Sequence, residues 1–230
     1  MATNGSRHKE VVRRRKEREK KQRAQSILDA ATKVFLSKGY AKTTMDDIAL
    51  EAEITKPTVY QYFETKEQLY FSLMIPFIEE LGSGMEKIEK KVLEGGYETG
   101  ASLVCDLFRN MYGAYQTYPY RFRIVQFFQQ SGRIWEMSDS VSSSLNAKGK
   151  KNFERIRGVL VSGIEQGLLK DYNVYQLTDV LWGLFVGVVQ LSDVKSYRTS
   201  RSPAANRIDR NLEASLELAE KLITDAIALP

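Results

Sequence analysis

Between Ile54 and Phe63 the chain reads Ile-Thr-Lys-Pro-Thr-Val-Tyr-Gln-Tyr-Phe. Val59 and Phe63 stand at i, i+4, so they share one face of a short helix and leave Lys56, Thr58, Tyr60, Gln61 and Tyr62 on the others. A lysine at the N-terminal end of such a helix can donate to guanine O6 and N7. Gln61 can pair with adenine or reach a phosphate, and the Pro57 ring and Thr58 methyl can pack on a thymine methyl. Tyr60 and Tyr62 can donate to phosphates and set the register, although Tyr60 also suits core packing and Tyr62 a solvated position. Thr44 and Lys66 stand near the starts of two further helices, where backbone N–H groups favour a phosphate. Thr43, Thr44, Thr55 and Lys66 complete the candidate contact set. This is chemistry for the groove and backbone of double-stranded DNA.

Short helices position these groups. Thr44 with Asp47 three residues on is an N-terminal cap signal for a helix ending near Glu51. Thr55 caps the next one, with Pro57 in its first turn, where proline is tolerated. Two helices joined by so few residues form a helix-turn-helix. Ahead of them, Ile27, Ala31, Val34 and Phe35 recur at helical spacing, in a helix expected to be ordered from about Lys20 to a stop at Gly39. Behind them, Thr65 with Gln68 caps a fourth helix over about 66–93, which Pro76 should kink or break. Glu94-Gly95-Gly96 interrupts the chain. Helices are then expected near 99–117, 119–130, 147–168, 174–195 and 205–228, with another around 132–145. No window alternates like a strand, so the fold class is all-α.

Charge separates the same regions. Residues 1–70 hold 15 Lys/Arg and 10 Asp/Glu, so the whole net charge of +5 lies there and the remainder is neutral. From Arg7 to Arg23 there are 10 basic and three acidic residues, peaking at Arg13-Arg14-Arg15-Lys16. A charge run is often a solvated tail. Beside a helix-turn-helix it also suits an arm along phosphates or in a minor groove, with Arg13, Arg14 and Arg15 as candidate contacts. The expected division is a basic arm over 1–22, a DNA-binding domain over 23–70 and a helical domain over 71–230.

Other classes find little support. With one cysteine, Cys105, no intrachain disulfide forms, and with one histidine, His8, a Cys/His metal site is not expected. There is no Ser-His-Asp or Cys-His arrangement and no P-loop, so neither an enzyme nor a cofactor is expected. The longest apolar run, Leu181–Val189, is nine residues, against roughly 18 for a membrane span. No secretory signal is visible. A soluble, cytoplasmic protein without a membrane partner is expected.

The ordered set Ile27, Leu28, Asp29, Ala30, Ala31, Phe35, Gly39, Tyr40, Thr43, Thr44, Ile48, Ala49 and Ala52 continues into Ile54-Thr55-Lys56, Val59-Tyr60, Tyr62-Phe63 and Lys66-Glu67-Gln68-Leu69. It resembles the N-terminal domain of TetR-family transcriptional repressors. The resemblance departs at Glu53 and Pro57, where that family often carries glycine. It implies a homodimer on an operator, each subunit joining a three-helix DNA-binding domain to a larger helical domain for a small-molecule effector. The residues above fall at positions that resemble the family's DNA contacts. The rival reading is an architectural DNA binder without sequence choice.

Two roles are assigned to the second domain. The helices near 147–168 and 174–195 resemble the family's dimerising pair, with Gly163, Gly167, Gly183 and Gly187 permitting close approach and Ile164, Leu181, Leu184 and Val188 supplying apolar faces. Alternatively, these faces are interior. Aromatic residues between Phe108 and Trp135, interleaved with glutamines, suggest a pocket for an apolar or aromatic effector. Phe108, Tyr112, Phe127 and Trp135 are the candidates, although such residues are also ordinary core.

Overall fold

A computed structural model describes the backbone over residues 4–131, 139–199 and 210–229, and side chains over 8–126, 147–195 and 211–229. Trp135 lies outside the described residues, as does the Phe127 side chain. Among the described residues there are ten helices and no strand. The chain divides into two compact units, Met1–Leu73 and Met74–Pro230.

The first unit holds α1 (Asn4–Lys42), α2 (Met45–Glu51), α3 (Lys56–Tyr62) and α4 (Lys66–Ser72). The first helix begins well before the expected Lys20, so the basic segment is helix rather than a loose arm. Lys, Arg and Glu are good helix formers. Pairs one turn apart reinforce them: Glu10–Arg14 at 2.6 Å, Arg15–Glu19 at 2.7 Å and Arg13–Glu17 at 4.0 Å. The helix breaks at Gly39 (φ 74°, ψ 163°), the expected stop. Ile27, Ala31, Val34, Ile48, Val59, Phe63 and Leu69 close a small core. Phe35, Tyr40 and Tyr70 pack ring against ring, with centroids 4.6 Å and 4.7 Å apart for the two Tyr70 pairs.

Local chemistry explains the short helices. Thr44 and Asp47 form a complete capping box, with the Asp47 N–H donating to Thr44 Oγ1 and the Thr44 N–H to Asp47 Oδ2 at 2.9 Å. The Lys38 ammonium, 2.6 Å from Asp47, is the main reason its carboxyl titrates at about 2. Thr55 accepts from the Thr58 N–H at the start of α3. Between α2 and α3 the Glu53 N–H donates to Leu50 O and the Ile54 N–H to Ala49 O, the two bonds of a Schellman turn. That turn puts its C′ residue in the left-handed region, and Glu53 sits there with φ 54°. Gly167 fills the corresponding place after α8 at φ 71° without strain. A non-glycine residue in that conformation costs about 1–2 kcal/mol, partly offset by the unfolded-chain freedom that glycine adds, about 0.5–1 kcal/mol. Glu53→Gly is therefore expected to stabilise the protein by about 0.5–1 kcal/mol in urea unfolding. A variant no more stable than the parent contradicts the strain.

The second unit holds α5 (Ile75–Leu93), α6 (Gly100–Thr117), α7 (Pro119–Ser131), α8 (Asp139–Glu165), α9 (Val174–Thr199) and α10 (Arg210–Ile227). The single helix expected over 66–93 is two, parted at Leu73 and Met74. Pro76 falls in the first turn of α5, where its missing N–H breaks no helical bond. In mid-helix, Gly82 and Gly84 leave room for two asparagines: a Cβ would come within 2.5 Å of Asn152 and 1.7 Å of Asn110. Those asparagines donate to Ile78 O and Leu81 O, pinning α8 and α6 to α5. Phe77, Leu103, Leu107, Phe122, Leu160, Leu181 and Phe185 fill the interior.

Candidate nucleic-acid interface

The turn at Glu53 aims α3 outward. Val59 is fully buried beneath it, and Lys56, Pro57, Tyr60 and Gln61 are exposed, with Thr58 and Tyr62 partly so. Tyr60 is 43% exposed, so its ring is available at the surface. The Lys56 ammonium lies 2.6 Å from Asp46 of α2, whose hydrogen bond and charge raise the lysine pKa. Both side chains are open to water, so the pair contributes little and Lys56 can exchange Asp46 for a nucleic-acid acceptor. The hydroxyls of Thr55 and Thr58 lie 2.8 Å apart at the N-terminus of α3.

Three expected contacts are used differently. Thr43 is buried, and its hydroxyl donates to Gly39 O at 2.8 Å, because the kink at Gly39 frees that carbonyl. Thr44 is exposed, but its hydroxyl is engaged in the capping box. Lys66 turns inward, donating to Tyr40 O and Thr43 O at 3.0 Å each, with its ammonium 4.5 Å from the centre of the Tyr40 ring. Carbonyls at a helix end lack intrahelical partners, and Lys66 satisfies two of them. Lys66→Met is therefore expected to cost about 1–2 kcal/mol of stability while the salt dependence of DNA binding stays unchanged. A flatter salt dependence with unaltered stability would return Lys66 to the phosphates.

The basic helix adds residues that the sequence reading passed over. Lys16, Lys20 and Arg23 of α1, with Glu19, form one wall of a groove whose other wall is Gln61 and Tyr62 of α3. Their i, i+4, i+7 spacing was the available signal. Arg14 and Arg15 instead pair within α1.

In the second unit, Phe108 is buried in the core and Tyr112 packs partly buried against it. Polar groups nearer the surface tie two helices of this unit together. Gln190 donates to Gln126 at 2.6 Å, and Arg123 grips Asp193 through two bonds of 2.7 Å and 2.9 Å, tying α7 to α9. Of the expected dimer residues, Leu181 is fully buried within its own chain. Gly163 packs on Leu103 and Leu169, where a Cβ would come within 2.9 Å, and Gly167 serves the turn after α8. Ile164, Leu184 and Val188 are part-buried. The apolar surface left over lies chiefly on α9 and α10, which pack on each other. Val180 (52% exposed), Leu191 (61%), Leu218 (58%) and Leu222 (62%) are its centre. Gly183 and Gly187 lie on the α9 stripe with nothing within 4 Å of a Cβ. Helix Val174–Lys195 is long and apolar enough to cross a membrane, and 28% of its most apolar window is buried.

Residues 27–73 match the family described as Bacterial regulatory proteins, tetR family. The HTH-type transcriptional regulator YhgD of Bacillus subtilis is 23% identical over 167 residues, 73% of this chain and 82% of that protein. The fatty acid metabolism regulator protein of Bacillus subtilis is 27% identical over 156 residues, 67% of this chain and 74% of that protein. The crystal structure of the transcriptional regulator FadR from Bacillus subtilis in complex with stearoyl-CoA superposes with a TM-score of 0.56 at 21% identity, covering 85% of this chain and 96% of that one. These relatives are transcription regulators, not enzymes.

Proposed function

With a TetR-family DNA-binding domain at residues 27–73, we propose that this protein is a ligand-responsive transcriptional repressor that binds a palindromic operator as a homodimer. The observation that carries the reading is α3: its apolar side is buried, and Lys56, Pro57, Tyr60 and Gln61 stand in solvent beside the basic wall of α1. Lys56, Pro57, Thr58 and Gln61 face bases, while Tyr60 and Tyr62 hold phosphates.

The exposed apolar stripe on α9 and α10 supports the homodimer. The opposite face of α9 is already committed to the core through Leu177, Leu181, Phe185 and Val189. A helix with one face packed into a folded domain and another apolar face left over suits a second copy of the chain rather than lipid. Cytoplasmic operation follows from the same reading.

The effector is a small apolar molecule, and the kinship to a fatty acid metabolism regulator and to a protein crystallised with stearoyl-CoA favours one bearing an acyl chain. It acts by binding better to the dimer whose recognition helices are wrongly spaced for the operator.

Selecting duplexes from a random pool tests the reading. An inverted repeat with half-sites about one helical turn apart, or a multiple of it, is the expected result. No enrichment would leave an architectural binder, for which the neutral second domain has no use. A fatty acyl-CoA at about 100 times its Kd should add about 2.7 kcal/mol of stability and release the selected duplex. Stabilisation without release contradicts the coupling.

A further inference from the structure

The heptad-like stripe of α1 changes character along its length. Positions 27, 30 and 34 bury Ile27, Ala30 and Val34 against the rest of the first unit. Continued back at the same three- and four-residue steps, that stripe becomes Arg23, Lys20, Lys16, Arg13 and Lys9, all exposed. These five positions fall within about 80° of one another around the helix. Two acidic residues flank them: Glu17 lies beside Arg13 on one margin, and Glu19, held by Arg15, lines the groove with Lys16, Lys20 and Arg23 on the other, while Glu10 projects elsewhere. Among the described residues, Lys9, Lys16, Lys20 and Arg23 have no ion-pair partner, and Arg13 has only the 4.0 Å contact to Glu17. The face that packs on the helix-turn-helix therefore continues as a cationic strip beyond the small core. It borders the recognition helix directly, through the groove shared with Gln61 and Tyr62.

We propose that this helical extension is a second DNA-contact element, a rigid strip that follows the phosphates flanking the half-site read by α3. The inference rests on the DNA-binding reading and adds an element lying ahead of the matched residues 27–73. From Lys9 to Arg23 the helix runs about 21 Å, since each residue rises about 1.5 Å. That length spans about six phosphate steps of one strand, which are spaced about 3.4 Å apart along the duplex axis. Cations three and four residues apart on a rigid rod match a polyanion of fixed spacing. Because the strip is already helical and four of its five cations have no ion-pair partner among the described residues, contact requires no folding of an arm and breaks no ion pair beyond the 4.0 Å Arg13–Glu17 contact. An anionic lipid surface is the weaker fit, because the strip itself has no apolar residue to insert. Val12 lies only at its edge.

Two triple variants separate position from net charge. Lys16→Ala/Lys20→Ala/Arg23→Ala removes three cations from the strip, and Arg14→Ala/Arg18→Ala/Lys21→Ala removes three from the opposite side of the same helix. All six side chains are exposed, and matching thermal unfolding of the two variants checks that both fold. Binding to the selected duplex is measured against salt concentration with about ten extra base pairs on each side. The strip variant should reduce the slope of log affinity against log salt by about 2–3, at about 0.9 per lost phosphate contact. The opposite-face variant should change it by less than half as much. Trimming the flanks should weaken the parent and leave the strip variant unaffected. Equal slopes for the two variants, or a strip variant still sensitive to trimming, overturn the inference while the parent's binding upholds the DNA-binding reading. A parent that binds no selected duplex overturns that reading itself.

Discussion

Leu184→Arg is expected to convert the protein to a monomer and to lower operator affinity by at least two orders of magnitude. Leu184 lies part-buried on the exposed stripe of α9, flanked by Gly183, Gly187 and the protruding Val180 and Leu191. In a two-fold symmetric interface one substitution enters twice, so two arginines would meet across the axis. Leaving a buried charge uncompensated costs about 3–5 kcal/mol, enough to dissociate a standard interface at micromolar concentration. The fold should survive, because the core of α9 is carried by Leu181 and Phe185 on its other side. A monomer then engages one half-site and forfeits the effective concentration that tethering gives the second. Sedimentation and operator titration read both outcomes. A persistent dimer would move the interface off this stripe. A monomer with undiminished operator affinity would remove the need for symmetry. Leu222→Arg on α10 should reproduce the phenotype, whereas the same change at an interface confined to α8 and α9 would not.

Lys56→Ala is the second large effect, expected to cost about 1–3 kcal/mol on the selected operator and to relax discrimination at one base position. Lys56 begins α3 and is the first cation that an entering helix presents to the groove floor. Its ion pair with Asp46 is short but solvent-exposed on both sides, so it holds the ammonium charged and in place at little cost to the exchange for guanine O6 and N7. The companion Asp46→Asn should tighten binding at low salt, since it removes both the competitor and a negative charge facing the phosphates. A Lys56→Ala loss of equal size on every duplex would make Lys56 a phosphate contact. No loss would take it out of the interface.

Legibility followed the range of the interaction. The caps at Thr44, Thr55 and Thr65 and the stop at Gly39 are written in side chains one to four residues from the backbone groups they satisfy, and each is found where the sequence places it. The inward residues Ile27, Ile48, Val59 and Phe63 follow from helical periodicity and are buried. Lys66 shows the limit. At the start of a helix its charge suggests a phosphate, yet it reaches 26 residues back to Tyr40 O, and no local pattern announces a carbonyl that distant. The glycines show the same limit: Gly163-x-x-x-Gly167 and Gly183-x-x-x-Gly187 are indistinguishable as strings. One is spent on interior packing and a turn, and the other is left open on the surface.

By itself the sequence determined that this chain is helical, that positive charge gathers around a helix-turn-helix, and where most of its helices begin and end. All of these depend on interactions within a turn or two of the chain. Only the tertiary structure decided which faces remain for partners. A helix of this chain carries more apolar surface than one neighbour can cover, and the packing of α9 against α10 and the core selects the side left over. The same holds for α1: periodicity marks one stripe from Lys9 to Val34, but the small core ends at Ile27, and beyond it the stripe is free to meet DNA.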